Sequence, residues 1–331
     1  MIANLKQAIS LRQERMLMNK GLKRPLGIAI VTVIICGLCA LQAIGYSYKK
    51  YEYDIVIYGD SNVGNTRDES GVANMLSEST GMTVLNAAIG GTTLSEIADD
   101  KVDLDGFAPY SLVNLSKAAA SGDYGVALAD MPRYYLEFTK HYMNYVEDTL
   151  KVLSKTDISK AKYIIITQGI NDYANYVPRT ASESDAIPAA GKAEDNDKDT
   201  YAGEAADRDK DSDAVKAAKY DINTFEGALR TSIENFKKAA PKAEIIVVSP
   251  VYCDVFGNGY KTDRGFGTQA DYAKSEQKIA DELGVTYINA MDESGIGEYN
   301  SAECLGDGMH MTAVGRKMYA KLLTDYIGRQ K

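Results

Sequence analysis

Apolar and polar positions along the chain alternate between two rhythms. Apolar runs, mostly β-branched or aliphatic and nearly free of charge, occupy 54–58, 82–86, 163–168, 244–249 and 286–289. Such runs suit strands covered on both faces of a sheet. Between them, apolar residues recur at helical spacing over 68–79, 110–121, 134–154, 219–239, 268–283 and 312–328. In the first of these stretches Val72, Met75 and Leu76 share a face, and residues 121–131 read as a loop. The alternation predicts a three-layer α/β domain with about five mostly parallel strands and crossover helices on both sides.

The runs end in small or polar residues. The first closes on Gly59-Asp60-Ser61-Asn62, the second on Ala87 to Thr93 with Gly90 and Gly91 adjacent, and the third on Gly169-Ile170-Asn171-Asp172. In a parallel sheet ligands enter at the carboxyl ends of the strands, which makes Ser61 the first candidate nucleophile. The same residue types also close ordinary turns, and that reading stands beside the catalytic one.

One run is different in kind. Residues 26–46 contain no charge, and Gln42 is the strongly polar side chain among them. As a helix they would span about 30 Å, the thickness of a bilayer's hydrocarbon core. Six basic residues precede the run against Glu14 alone. The expected organisation is a short basic cytoplasmic segment over 1–25, a transmembrane anchor over 26–46 and an extracytoplasmic domain over 47–331. A cleaved signal with small residues at Ala40 and Ala43 is the rival, and would leave the domain secreted.

Charge and composition narrow the partners. The chain carries a formal charge of -9 and residues 47–331 alone carry -14, which opposes binding to a nucleic-acid backbone. With four Cys and two His it has no zinc-cluster pattern. Cys36 and Cys39 fall in the apolar run, whereas Cys253 and Cys304 each follow a late strand and could form a bridge. Residues 179–216 hold 11 acidic and six basic residues among Ala, Gly and Ser, and read as a flexible acidic insertion. Its spaced aspartates do not make a calcium loop, since Thr200 or Ser212 stands where a glycine is needed and Ala206 or Ala218 where an acid is needed.

The second candidate group is Asp307-Gly308-Met309-His310. His141, the other histidine, lies in a polar and aromatic stretch, which leaves His310 as the better catalytic imidazole. Thr312 is placed to cap the last helix and so fix the backbone just after His310. If the turn brings Asp307 to His310 Nδ1, Nε2 is left to take a proton from Ser61 Oγ. A serine hydroxyl needs that help, because it is a poor nucleophile at neutral pH. Ser61 N–H, Gly91 N–H and the Asn171 amide are the expected donors to the oxyanion, with Gly90 as the register alternative to Gly91. Asp172 is expected to support its turn, and no metal or organic cofactor is required. Tyr134, Tyr135, Tyr142 and Tyr145 either pack or offer an aromatic surface to sugars.

In residues and order these four blocks resemble the SGNH hydrolase superfamily, the GDSL-like lipases and acylhydrolases. The resemblance matches Ser61 to the nucleophile, Gly91 and Asn171 to the oxyanion donors, and Asp307 and His310 to the acid and base. It implies a flavodoxin-like sheet and ester hydrolysis through an acyl-enzyme. Asn62 departs from the common form, in which Leu is frequent.

The function expected is a tethered, outward-facing serine esterase that removes an acyl group, such as acetyl, from an envelope or extracellular glycan. Its partners would be an acylated carbohydrate or other small ester, and the membrane through 26–46. A glycan acyltransferase, a lipid esterase and a noncatalytic envelope scaffold are the alternatives. The sequence sets no oligomeric state.

Overall fold

A computed structural model of the chain describes residues 51–96, 109–134, 144–185, 220–257 and 261–329. The apolar run 26–46, most of the acidic insertion, His141, Tyr135 and Tyr142 lie outside them. Among the described residues no helix is long and apolar enough to cross a membrane.

Five strands form one sheet: β1 (Ile55–Gly59), β2 (Val84–Asn86), β3 (Tyr163–Thr167), β4 (Glu244–Val248) and β5 (Thr286–Ile288). Their order is β2-β1-β3-β4-β5 and every pairing is parallel. The chain therefore switches direction across the sheet between β1 and β3, and a crevice opens outside the carboxyl ends at such a point. Register is set by the apolar residues themselves, Ile57 opposite Ile165 and Gly59 opposite Thr167.

The main helices, in order, are α1 (Ser61–Gly64), α2 (Val72–Thr80), α3 (Leu112–Ser121), α4 (Gly125–Tyr134), α5 (Val146–Leu153), α6 (Ile170–Ala174), α7 (Phe225–Ala239), α8 (Gln269–Leu283) and α9 (Ala313–Arg329). Alternate strand residues sort into two cores. Val56, Tyr58, Ile164, Ile166, Ile245 and Val247 pack under α3, α5, α7 and α8. Ile55, Ile57, Ile165, Ile246 and Val248 pack under α2 and α9. The continuous apolar runs of the sequence are thus explained by burial on both faces.

Three expectations are corrected. Residues 121–131 are not a loop throughout, because α4 begins at Gly125, whose N–H donates to Asp123 Oδ1 at 2.8 Å. Val126 is 77 % exposed, so the helix lacks the clean apolar face that would announce it. The insertion expected from 179 opens with structure, since Arg179 pairs with Glu183 beside a helical turn over Ala181–Asp185. Cys253 and Cys304 are buried free thiols, one in each apolar core, and form no bridge.

Candidate active site

The site is assembled from the turns that follow β1, β2 and β3 and from the loop before α9. At the end of β1, a Cβ on Gly59 would lie 2.2 Å from Thr167 Oγ1, so a larger residue here would force the Thr167 side chain to move. Asp60 then caps α1 by accepting from Asn62 N at 2.9 Å. This sets Ser61 on the first turn of the helix.

Ser61 Oγ lies 2.9 Å from His310 Nε2, across 249 residues of chain. His310 Nδ1 lies 2.6 Å from Asp307 Oδ2. Asp307 Oδ1 accepts from His310 N at 2.7 Å and from Met309 N at 3.0 Å. Burial pushes the Asp307 carboxyl up, but its bonds from His310 and Met309 outweigh this and hold it below the usual range. It is therefore an anion at neutral pH, able to orient the ring and stabilise it when protonated. Thr312 Oγ1 accepts from Gly315 N at 3.3 Å, the helix cap expected of it.

After β3, Asn171 Nδ2 donates to Thr92 O at 2.8 Å. That bond fixes the amide plane and leaves the second amide proton for another acceptor. Gly91 takes a φ of 76°, the left-handed region that favours glycine. The register alternative, Gly90, already donates its N–H to Tyr145 Oη at 3.0 Å. Among the described residues, none accepts a backbone bond from Ser61 N–H or Gly91 N–H.

Three links hold this half together. Asp172, fully buried, accepts from Leu94 N at 2.8 Å, Ser95 N at 3.1 Å and Ser95 Oγ at 2.7 Å, and so ties the turn after β3 to the loop after β2. Burial pushes its carboxyl up to about 6 despite those donors. Arg67 donates to the carbonyls of Gly64, Asn86 and Ala88 and lies 3.9 Å over the Tyr145 ring. Tyr145 in turn donates to Asn65 Oδ1 at 2.8 Å. Its ring is thus packed, not offered to sugars. Sequence reasoning passed over Arg67 and weighed Tyr145 only as packing or a sugar surface, because neither carries a local signal for this link.

A model of the GDSL-like Lipase/Acylhydrolase family matches residues 57–318, a span that contains every turn described above. The chain belongs to that family. It is accordingly an enzyme of ester bonds, with the five-stranded parallel sheet of the family. Among solved structures, a protein from Lactobacillus plantarum is 14% identical, with 85% of this chain and 99% of that one covered and a TM-score of 0.50. A possible lipase from Chitinophaga pinensis is 13% identical, with 84% and 98% covered and a TM-score of 0.47. Comparison with curated proteins gave no match. Within the family pattern, Asn62 follows the serine and accepts from Met311 N at 3.0 Å, beside the imidazole.

Proposed function

We propose that this GDSL-like acylhydrolase is a serine esterase held at the outer face of a membrane, where it removes a short acyl group such as acetyl from an envelope or extracellular glycan. Ser61 is the nucleophile, His310 the general base and acid, and Asp307 the orienting anion. Ser61 Oγ attacks the ester carbonyl as its proton passes to His310 Nε2. The tetrahedral oxyanion is met by Ser61 N–H, Gly91 N–H and the Asn171 amide. Collapse expels the sugar hydroxyl, which takes the proton from His310. A water then repeats the sequence on the acyl-Ser61 ester, releasing the acid and restoring the serine.

The observation that carries the substrate reading is the openness of the site. The His310 and Asp307 side chains are 43% and 57% exposed, so a bulky carrier can present its ester at the surface. A cavity beneath the turn, lined by Asp60, Asn62, Thr167 and Tyr319, measures about 10 Å³, which is room for one water. The apolar run 26–46 and the basic residues before it support the location. An open site also admits a sugar hydroxyl in place of water, and acyl transfer is the second reading.

The full chain, treated with a serine-reactive phosphonate and digested, should carry the adduct on the peptide containing Ser61. Assayed on acetylated sugars, peptidoglycan fragments and short-chain lipid esters, it should release acetate from a carbohydrate. Turnover confined to lipid esters overturns the glycan reading. Acyl transfer that grows with added sugar at the expense of hydrolysis establishes the transferase.

A further inference from the structure

The bonds within the loop that carries His310 and those that cross from it to Ser61 do different work. Asp307 is three residues from His310, and its three contacts there orient the ring relative to its own loop. The short antiparallel bridge between Leu305 and Met311 is likewise internal to the loop. None of these fixes the distance from the imidazole to the hydroxyl. Leu305 and Met311 anchor the loop in the core, but the His310 and Asp307 side chains are about half exposed, so packing around the imidazole itself contributes little to that distance.

What crosses is a brace on the Met311 peptide. Its N–H donates to Asn62 Oδ1 at 3.0 Å, one residue from Ser61 on one side and one residue from His310 on the other. Its C=O accepts from Arg316 Nη1 at 2.7 Å. The same guanidinium donates from Nε to Ser70 O at 2.8 Å and from Nη2 to Ser70 Oγ at 3.1 Å, which returns the link to the segment after Ser61. Asn62 is itself held, because its N–H is bound by Asp60 Oδ1. Met311 is 5 % exposed, so water does not readily replace the acceptor if it is removed.

We propose that Asn62 is a positioning residue, which sets the reach from His310 Nε2 to Ser61 Oγ by accepting the Met311 N–H. The proposal rests on the assignment of Ser61 and His310 given above. Asn62 touches neither proton nor substrate. It acts through the backbone that carries the imidazole, and Arg316 seconds it from the carbonyl side of the same peptide. A displacement of about 1 Å at a reacting pair costs about 100-fold in rate.

The test uses the full chain and p-nitrophenyl acetate as the probe ester. Asn62→Leu keeps the size of the side chain and removes the acceptor, whereas Asn62→Asp keeps the acceptor. Asn62→Leu should lower kcat about 10- to 100-fold with KM changed less than about 2-fold, and should slow phosphonate labelling of Ser61 by the same factor. Asn62→Asp should restore kcat to within about 3-fold, with the acidic limb of its pH–rate profile moved upward by the added charge near the imidazole. Arg316→Met should show the same pattern more weakly. Unchanged kcat in Asn62→Leu overturns the proposal, as does failure of Asn62→Asp to restore it. Loss of folding in both Asn62→Leu and Arg316→Met overturns it as well, since a brace on this pair leaves the sheet untouched. Failure of the unaltered chain to label at Ser61 would instead overturn the site assignment beneath it.

Discussion

The two halves of the candidate site are built by opposite means. On the imidazole side, Asp307 and His310 are close in sequence and about half exposed, and their mutual bonds span three residues. On the oxyanion side, Asn171 and Asp172 are buried and bind Thr92, Leu94 and Ser95 across 77 to 79 residues. An exposed pair can be exchanged with little effect on folding, whereas a buried network is part of the fold. The same chemistry is therefore divided between a part the protein can lose and still fold, and a part it cannot lose cheaply.

His310→Ala breaks that comparison most sharply. The substitution should lower kcat about 10⁴-fold, as expected when the base that activates a serine is removed. It should move Tm by less than about 2 °C, because an exposed side chain outside the core contributes little to stability. Steady-state kinetics and a thermal melt on one preparation check both. A loss of stability as large as that of a core substitution would show that the imidazole side also holds the fold.

Asn171→Ala should do less to the rate and more to the fold. Loss of one oxyanion donor costs about 10²- to 10³-fold in kcat. The Thr92 carbonyl is left without its partner in a buried place, at a cost of about 1–3 kcal/mol, and Tm should fall with it. Tyr145→Phe sharpens the point at one further remove. The hydroxyl touches no reacting atom, but it holds the Gly90 N–H next to the Gly91 donor. Its loss should lower kcat by about 10-fold with KM preserved, the mark of an interaction felt only in the transition state.

What the sequence revealed follows the same division. Ser61, Asp307 and His310 sit in short blocks whose meaning is local, a strand end and a helix cap, and the pattern exposed them. The five strands were legible because burial on both faces writes itself as an unbroken apolar run, as in Ile164-Ile165-Ile166. Helix α4 was not, since Val126 points outward where a core residue would have signalled it. Asp172 could be expected to support a turn, but its three donors come from a loop far back in the chain. Arg67, Arg316 and Asn62 acquire their roles only when the sheet brings distant carbonyls and N–H groups within reach, and no local pattern encodes that.

Asp60 lies where the two halves meet, and it offers the finest test. It is 2 % exposed, precedes Ser61, and accepts from Asn62 N. Burial pushes its carboxyl up to about 6, although the Asn62 N–H and the nearby His310 pull it down. A raised carboxyl is held protonated more tightly by the folded chain than by the unfolded one. Its contribution to stability is therefore complete below about pH 4 and is lost as pH rises through about 6. Asp60→Asn keeps an oxygen for the Asn62 N–H and removes the ionisation. The variant should gain stability relative to the parent as pH rises from about 4 to 7, by at most about 3 kcal/mol. Its kcat near neutral pH should change less than about 3-fold, because the helix cap survives and Asp60 enters no chemical step. Thermal melts across that pH range decide it: a stability difference that stays flat, or that falls with rising pH, would mean that Asp60 is ionised at least as readily in the folded chain as in the unfolded one, and that burial does not govern its ionisation.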